Sequence, residues 1–266
     1  MDKRKVVSGA KDTLIEEITT QLSIADKKEQ EENNLCNSSI EISIACFRKK
    51  LIVLDINGLL ADIVSSPPKH VKPDAIIGYK ALFKRPFYLE FLNFCFERFE
   101  VAVWSSRLKR NVDNVIDHLL GDLKQKLVFC WDLSHCTETS FKTLENKHKP
   151  LVFKDLRKIW ENYDPNVPLE KGYYNESNTL LLDDSPYKAL LNHPYNSIFP
   201  HTYSYKNQND NSLAVGGDLR RYLEGLASTE NMMKYVEEHP FGQERITETD
   251  ESWDFYLNVI NSVSVC

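Results

Sequence analysis

The residues that could do chemistry in this chain lie in four separated stretches. Asp55 closes the apolar run 51–54 and is followed by Asn57-Gly58. A carboxylate at a strand terminus, ahead of a tight glycine loop, sits where backbone N–H groups can be aimed at an anion. It can attack phosphorus to form an aspartyl-phosphate, or hold Mg²⁺ through a hard oxygen, or simply cap a turn. Ser105-Ser106 follow the apolar run 100–104 and could hydrogen-bond a phosphoryl oxygen; alone they read as turn residues. Lys154 follows the apolar residues 151–153 and could neutralise charge at the same place; alone it reads as a surface lysine. Asp183-Asp184 follow three leucines. Adjacent carboxylates near a core repel each other and lose hydration, a penalty that a divalent cation removes.

Elements of alternating type must position these groups. Residues 51–54, 100–104, 127–131, 179–182 and 197–199 read as short, continuously apolar strands of a sheet covered on both faces. Apolar residues at helical spacing mark 87–99, 108–120 and 155–162, and a further helix starts at 187–191. Strand–helix alternation of this kind predicts an α/β, doubly wound parallel sheet, whose ligands lie beyond the carboxyl ends of the strands. Asp55, Ser105 and Asp183-Asp184 all stand at such ends. Residues 1–45 form a polar segment too poor in apolar side chains to bury much surface, with one short amphipathic helix at 11–23. Residues 46–210 are the expected globular domain, and 211–266 a helical extension packing on it through 219–226, 231–238 and 253–263.

The order Asp, Ser, Lys, Asp-Asp resembles the haloacid dehalogenase (HAD) phosphatase superfamily. More narrowly it resembles the FCP/SCP branch, the NLI-interacting-factor-like phosphatases, which include phosphatases of the RNA polymerase II C-terminal domain. The matching stretches are Leu-Asp-Ile-Asn-Gly-Leu-Leu (54–60), Phe-Lys-Arg-Pro (83–86), Phe-Glu-Val-Ala-Val-Trp-Ser-Ser (99–106), Phe-Lys-Asp-Leu (153–156) and Leu-Leu-Asp-Asp-Ser-Pro (181–186). The likeness covers roughly residues 49–205 and is similar to a plant-type variant with Asp-x-Asn in place of Asp-x-Asp. It implies a HAD-like Rossmannoid sheet with a small insertion and a minimal cap. It implies Asp55 as nucleophile, Ser105 and Ser106 as phosphoryl-binding groups, and Lys154 as stabiliser of the intermediate. Mg²⁺ would be held by Asp55, the backbone carbonyl of Asn57 and Asp184, with Asp183 holding the network in place. Arg85 fits a residue the branch places near the site, and a structural salt bridge explains it equally well.

Asn57 stands where the branch has an aspartate that protonates the leaving group and then activates water. An amide cannot exchange a proton this way, and general acid–base help is typically worth about 10²–10⁴-fold. Three outcomes remain open: turnover of a substrate with a good leaving group, such as a diphosphate; a proton from Asp62 or His70; or a phosphate-binding scaffold without turnover. The expected activity is that of a HAD-type phosphoric ester hydrolase acting on a phosphorylated Ser or Thr of a protein, with a phosphate-bearing small molecule as the alternative.

Bulk properties narrow the partners. The net charge of −6 gives no general attraction to nucleic acid or anionic membrane. No apolar run approaches the roughly 20 residues needed to span a bilayer. Six cysteines without a paired motif suit a reduced, intracellular location, cytoplasmic or nuclear. Cys130, Asp132, His135 and Cys136 match no standard zinc spacing and read as core and loop. Only about 45 residues separate the first two motifs, too few for a large cap, so the site is expected to be open. Basic and aromatic residues within 121–150 (Trp131, His135, Phe141, Lys142, Lys147, His148, Lys149) could receive an acidic or phosphorylated peptide, or form a solvated loop.

Overall fold

The structure is a computed structural model that describes residues 50–67, 70–167 and 170–264. The helix expected at 11–23, the rest of the polar segment and Cys36, Cys46 and Cys266 lie outside the described residues.

The chain runs β1 (Leu51–Leu54), β2 (Ala61–Val64), β3 (Ala75–Ile77), β4 (Lys80–Lys84), α1 (Tyr88–Arg98), β5 (Glu100–Trp104), α2 (Lys109–Leu120), β6 (Cys130–Trp131), β7 (Thr137–Lys142), β8 (Pro150–Phe153), α3 (Arg157–Trp160), β9 (Thr179–Leu182), β10 (Ser197–Ile198), α4 (Asp218–Ser228), α5 (Met232–Glu238) and α6 (Trp253–Ser264). Five strands form the central sheet in the order β10-β9-β1-β5-β6, all parallel. Strand side chains alternate between faces, and both faces here are covered. Ile52, Leu54, Val101, Val103, Leu180 and Leu182 enter one core with α1, α2, α4 and α5; Leu51, Val53, Ala102, Trp104 and Leu181 enter a second core on the other face. The run of completely buried residues at 51–54 follows from this double covering.

The order explains where a site must be. The chain moves outward from β1 through β5 to β6, then returns to add β9 on the other side of β1. The carboxyl end of β1 is therefore the switch point, where connections diverge and leave a crevice. Register is in step, with Leu54 opposite both Val103 and Leu182. Asp55 thus emerges beside Asp183, and its N–H donates to the Leu182 carbonyl at 2.9 Å.

Several elements differ from the sequence reading. Pairing of the third strand with β5 is confined to Cys130–Trp131, because 121–126 winds into a 3₁₀ helix first. The helix expected at 155–162 is a single turn, with the Asp155 carboxylate accepting from the backbone and guanidinium of Arg157 and Asn162 in a left-handed conformation at the end. Pro186–Ala189 is a 3₁₀ turn rather than the start of an α-helix. The residues between the first two motifs form an antiparallel sheet, β2-β4-β3, that the sequence pattern did not reveal. Within 121–150, and closing just beyond it, β7 and β8 make an antiparallel hairpin.

The C-terminal residues buttress the site from behind. Tyr256 and Val259 of α6 pack with Leu151 and Phe153 of β8 and with Tyr187. Tyr222 of α4 and Met232 of α5 are core contacts. Ahead of α6, Gly242 forms a bridge to Phe199 with φ 78°. A Cβ there would lie 2.2 Å from the Phe199 carbonyl oxygen. Gly242→Ala should therefore cost about 1–3 kcal/mol from the backbone conformation, plus the clash, read as a fall in Tm of several degrees by calorimetry.

Candidate functional site

Asp55, Asp183 and Asp184 offer carboxylate oxygens that all lie within 4.8 Å of one another. Asp55 and Asp183 are almost completely buried, and two buried lysines hold them apart electrically. Lys154 Nζ donates to Asp55 Oδ1 at 2.9 Å and to Asp183 Oδ2 at 2.5 Å. Lys188 Nζ donates to Asp183 Oδ1 at 2.8 Å and to Asp55 Oδ2 at 3.4 Å. Each oxygen of each carboxylate thus faces an ammonium. The backbone enforces this pairing, since Lys154 N–H donates to the Lys188 carbonyl at 2.8 Å. Asn192 clamps the same stretch by bonding the Lys154 carbonyl and the Leu156 N–H.

These charges set the protonation states. Burial pushes the Asp55 carboxyl up, but Lys154 and Lys188 outweigh it and bring it down to about 2. Burial would push the Lys188 ammonium down, yet Asp183, Asp55 and Asp184 hold it well above the ordinary lysine value. Asp184 is the odd member. Burial raises its carboxyl to about 6, with Asp183 and Asp55 adding to the rise and Lys188 opposing it. Three carboxylates face two ammoniums, so one negative charge is left over, and it falls on Asp184.

That remainder fits a divalent cation. The donor set is all oxygen, which suits Mg²⁺. Asp184 is also packed against the glycine loop: a Cβ on Gly58 would lie 1.9 Å from Asp184 Oδ2. The space beside the loop is therefore kept for the carboxylate and what it binds. Gln243 holds Asp184 from behind, its Nε2 donating to the Asp184 and Pro200 carbonyls, each at 2.9 Å.

The other expected residues fall out as follows. Ser105 is buried at the end of β5, next to β1; its N–H donates to the Trp131 carbonyl and its Oγ accepts from the Arg107 N–H at 3.3 Å. Ser106 is half-buried beside it. Asn57 Oδ1 accepts from Ile63 N–H at 3.0 Å and from Arg107 Nη2 at 3.3 Å. Arg85 takes the salt-bridge alternative. Its Nε and Nη2 pair with Asp210 at 2.9 Å each, and Nη1 donates to the Leu59 carbonyl. A buried fork–fork pair of this kind leaves the guanidinium with its main donors committed. Asp62 accepts from Tyr205 N–H, and His70 is exposed. His135 stacks on Trp131 and bonds locally, so 130–136 is core and loop.

Sequence reasoning missed Lys188, Arg107 and Gln243. Lys188 lies in Pro-Tyr-Lys-Ala, where nothing local marks it as buried. Arg107 follows the two serines, which was a usable signal. Burial lowers its pKa, and Asp55 and Asp62 oppose that fall, which places it in the field of Asp55. Lys149, on the turn between β7 and β8, lies over the Tyr187 ring at 5.6 Å. Loss of water and Lys188 lower its pKa, while Asp184, Asp183 and Asp55 act in the opposite sense. Arg107 and Lys149 thus bring positive charge to the mouth.

Two outcomes follow. Lys188→Met leaves two buried carboxylates short of a partner and should cost about 3–5 kcal/mol, partly recovered when Asp183→Asn is added; chemical denaturation of single and double variants reads this. Asp184 is raised above its ordinary 3.8, so its contribution favours the folded, cation-free protein below that value and fades as pH rises through about 6. Asp55 is lowered, so its contribution is present above 3.8 and lost as pH falls toward about 2. Protons therefore compete with a cation at Asp184. The rise in Tm on adding Mg²⁺ should be larger at about pH 7.5 than at about pH 5, and Asp184→Asn should flatten the difference.

Comparison with known proteins places this geometry. The model of the NLI interacting factor-like phosphatase family matches residues 50–233. An FCP1 homology domain-containing protein of Schizosaccharomyces pombe is 27% identical over 207 residues, covering 73% of this chain and 78% of that protein. Ubiquitin-like domain-containing CTD phosphatase 1 of Danio rerio is 25% identical over 194 residues, covering 72% of this chain but 54% of the relative, so the chain spans about half the length of that protein. A solved structure of fission yeast RNA polymerase II CTD phosphatase Fcp1 overlaps with a TM-score of 0.41 at 14% identity, covering 86% of this chain and 66% of that one. The family match takes in Asp55, Ser105, Lys154, Asp183, Asp184 and Lys188 alike, and the chain belongs to the NLI interacting factor-like phosphatases.

Proposed function

We propose that this chain cleaves phosphate monoesters of phosphoproteins, with Mg²⁺ bound and Asp55 as the nucleophile. The observation that carries this reading is the state of Asp55: a buried carboxylate kept ionised by two lysines at the switch point of the sheet. An ionised, desolvated and aligned oxygen is what attack on phosphorus requires. Asp55, Asp184 and the Asn57 carbonyl would hold the cation, which would supply positive charge against the phosphoryl oxygens. Lys154 and Lys188 offset charge on the nucleophile and, through Asp183, keep the cluster from spreading. Ser105 would meet a phosphoryl oxygen through its hydroxyl at the end of β5.

The mouth supports a phosphoprotein over a small molecule. No large insertion closes it among the described residues, since the β2-β4-β3 sheet and the β7–β8 hairpin only flank it. Arg107 and Lys149 supply local positive charge on a chain whose net charge is −6 and would otherwise repel a phosphopeptide. Asn57 supplies no proton to a leaving group. An ester of a phenol, which leaves as a stabilised anion, is the case where this costs least.

The test is release of p-nitrophenolate from p-nitrophenyl phosphate, with phosphopeptides carrying phosphotyrosine or phosphoserine alongside. Mg²⁺-dependent release of at least one equivalent per chain is expected, with a loss on the order of 10⁴-fold or more in Asp55→Asn. Arg107→Ala and Lys149→Ala should raise KM for phosphopeptides more than for the small ester. Binding of Mg²⁺ and a phosphate mimic with no release from any ester would point instead to a scaffold.

A further inference from the structure

We infer that Asp55 retains the phosphoryl group it accepts, so that the chain works as a one-equivalent phosphoryl acceptor whose aspartyl-phosphate accumulates. This rests on the phosphatase reading above and adds to it the fate of the intermediate.

The argument concerns which step needs a proton moved. In the first step an Asp55 oxygen forms a bond to phosphorus, and the bond from phosphorus to the donor oxygen breaks. The donor leaves with that electron pair as an anion, and when the anion is stable no acid is required. In the second step water must attack the same phosphorus and lose a proton as its new bond forms, while the phosphorus–Asp55 bond breaks and the carboxylate returns. That step needs a base.

Asp184, within 4.8 Å of Asp55, is committed to the cation on the reading above, and no other group facing the nucleophile among the described residues is free to be that base. Asn57 Oδ1, the only acceptor of its side chain, takes bonds from Ile63 N–H at 3.0 Å and Arg107 Nη2 at 3.3 Å. What remains of Asn57 is an N–H₂ that only donates. Asp183 faces Lys154 on one oxygen, and Lys188 and the Ser185 N–H on the other. Asp62 bonds Tyr205 N–H on β2, and His70 lies exposed beyond that strand. Lys154 and Lys188 carry charge at their carboxylate partners and have no lone pair to offer. Everything that stabilises the first step is present, and the base for the second is missing. The same geometry predicts how to restore it. An aspartate at 57 would accept the same two bonds, and Arg107 would hold it ionised, the form that can take a proton from water.

The experiment uses the full chain with Mg²⁺ and two donors, p-nitrophenyl phosphate and radiolabelled acetyl phosphate. Wild type should give a burst of p-nitrophenolate approaching one equivalent, then a slow phase. It should carry acid-stable, hydroxylamine-labile label approaching one phosphoryl per chain. Asn57→Asp, checked for an unchanged Tm, should lose the label and turn over about 10²–10⁴-fold faster in the slow phase. Asp55→Asn should take no label. Linear turnover by wild type without label overturns the inference and leaves the phosphatase reading standing, as does an Asn57→Asp chain that keeps both label and slow phase. Neither release nor label in wild type and Asn57→Asp alike overturns both readings.

Discussion

Three carboxylates sharing one crevice, two of them buried, is the constraint to which the rest of this structure answers. Asp55 and Asp183 are fixed as neighbours by the parallel register of β1 and β9, because the residues after Leu54 and Leu182 leave the sheet side by side. Placed there without partners, they would repel each other and lose their hydration, several kcal/mol per ion. Lys154 and Lys188 offset this, but neither can do so from its own strand alone. The bond from Lys154 N–H to the Lys188 carbonyl joins two stretches that approach from different parts of the chain. Leu151, Phe153 and Tyr187, which flank the lysines in sequence, are packed under α6. The hydrophobic core behind the lysines thus holds the charges that the sheet forces together.

Such a cluster is a poor way to gain stability. Buried ion pairs seldom repay their desolvation, and apolar residues of similar volume often serve a fold as well or better. Its persistence in a core otherwise made of leucine, valine and tryptophan is therefore best explained by what an ionised Asp55 can do. The imbalance of charge points the same way. A purely structural network would close its account with equal numbers, whereas this one leaves Asp184 with a raised pKa and no lysine of its own.

How much of this was legible in the sequence follows from the range of each signal. The strands 51–54, 100–104 and 179–182 are buried on both faces, so their apolar runs are unbroken and easy to see. The acid pair was legible because two adjacent carboxylates after such a run need a reason. Lys154 became readable only through its order among the other motifs. Lys188 was not, since its partners are Asp55 and Asp183 and its own neighbours look like an ordinary turn. Arg85 stood between two readings for the complementary reason: its motif lies near the first stretch, but its partner Asp210 is 125 residues away. The β2-β4-β3 sheet and the β7–β8 hairpin were missed because their strands are short, and Thr-Glu-Thr-Ser-Phe-Lys is too polar to show a buried face.

Asn57 gives these observations a common direction. Asp55, Asp183, Lys154 and Lys188 fix one another by ion pairs, and the fixing reaches beyond residues 50–233 to Gln243, which pins the Asp184 carbonyl. These charges are therefore held by their partners, and held charges are what catalysis by electrostatics requires. With Asp184 given to a cation, the side chain at position 57 is an amide that cannot take up a proton. Asn57 is not a vacancy left by a lost aspartate, since its oxygen completes the coordination of Ile63 N–H and Arg107 and ties the glycine loop to β2 and to the end of β5. A loop held in this way keeps the Asn57 side chain in place as the acceptor of two N–H groups. On the proposed function, electrostatics and acid–base chemistry, which an aspartate at this position would join, are separated in one residue.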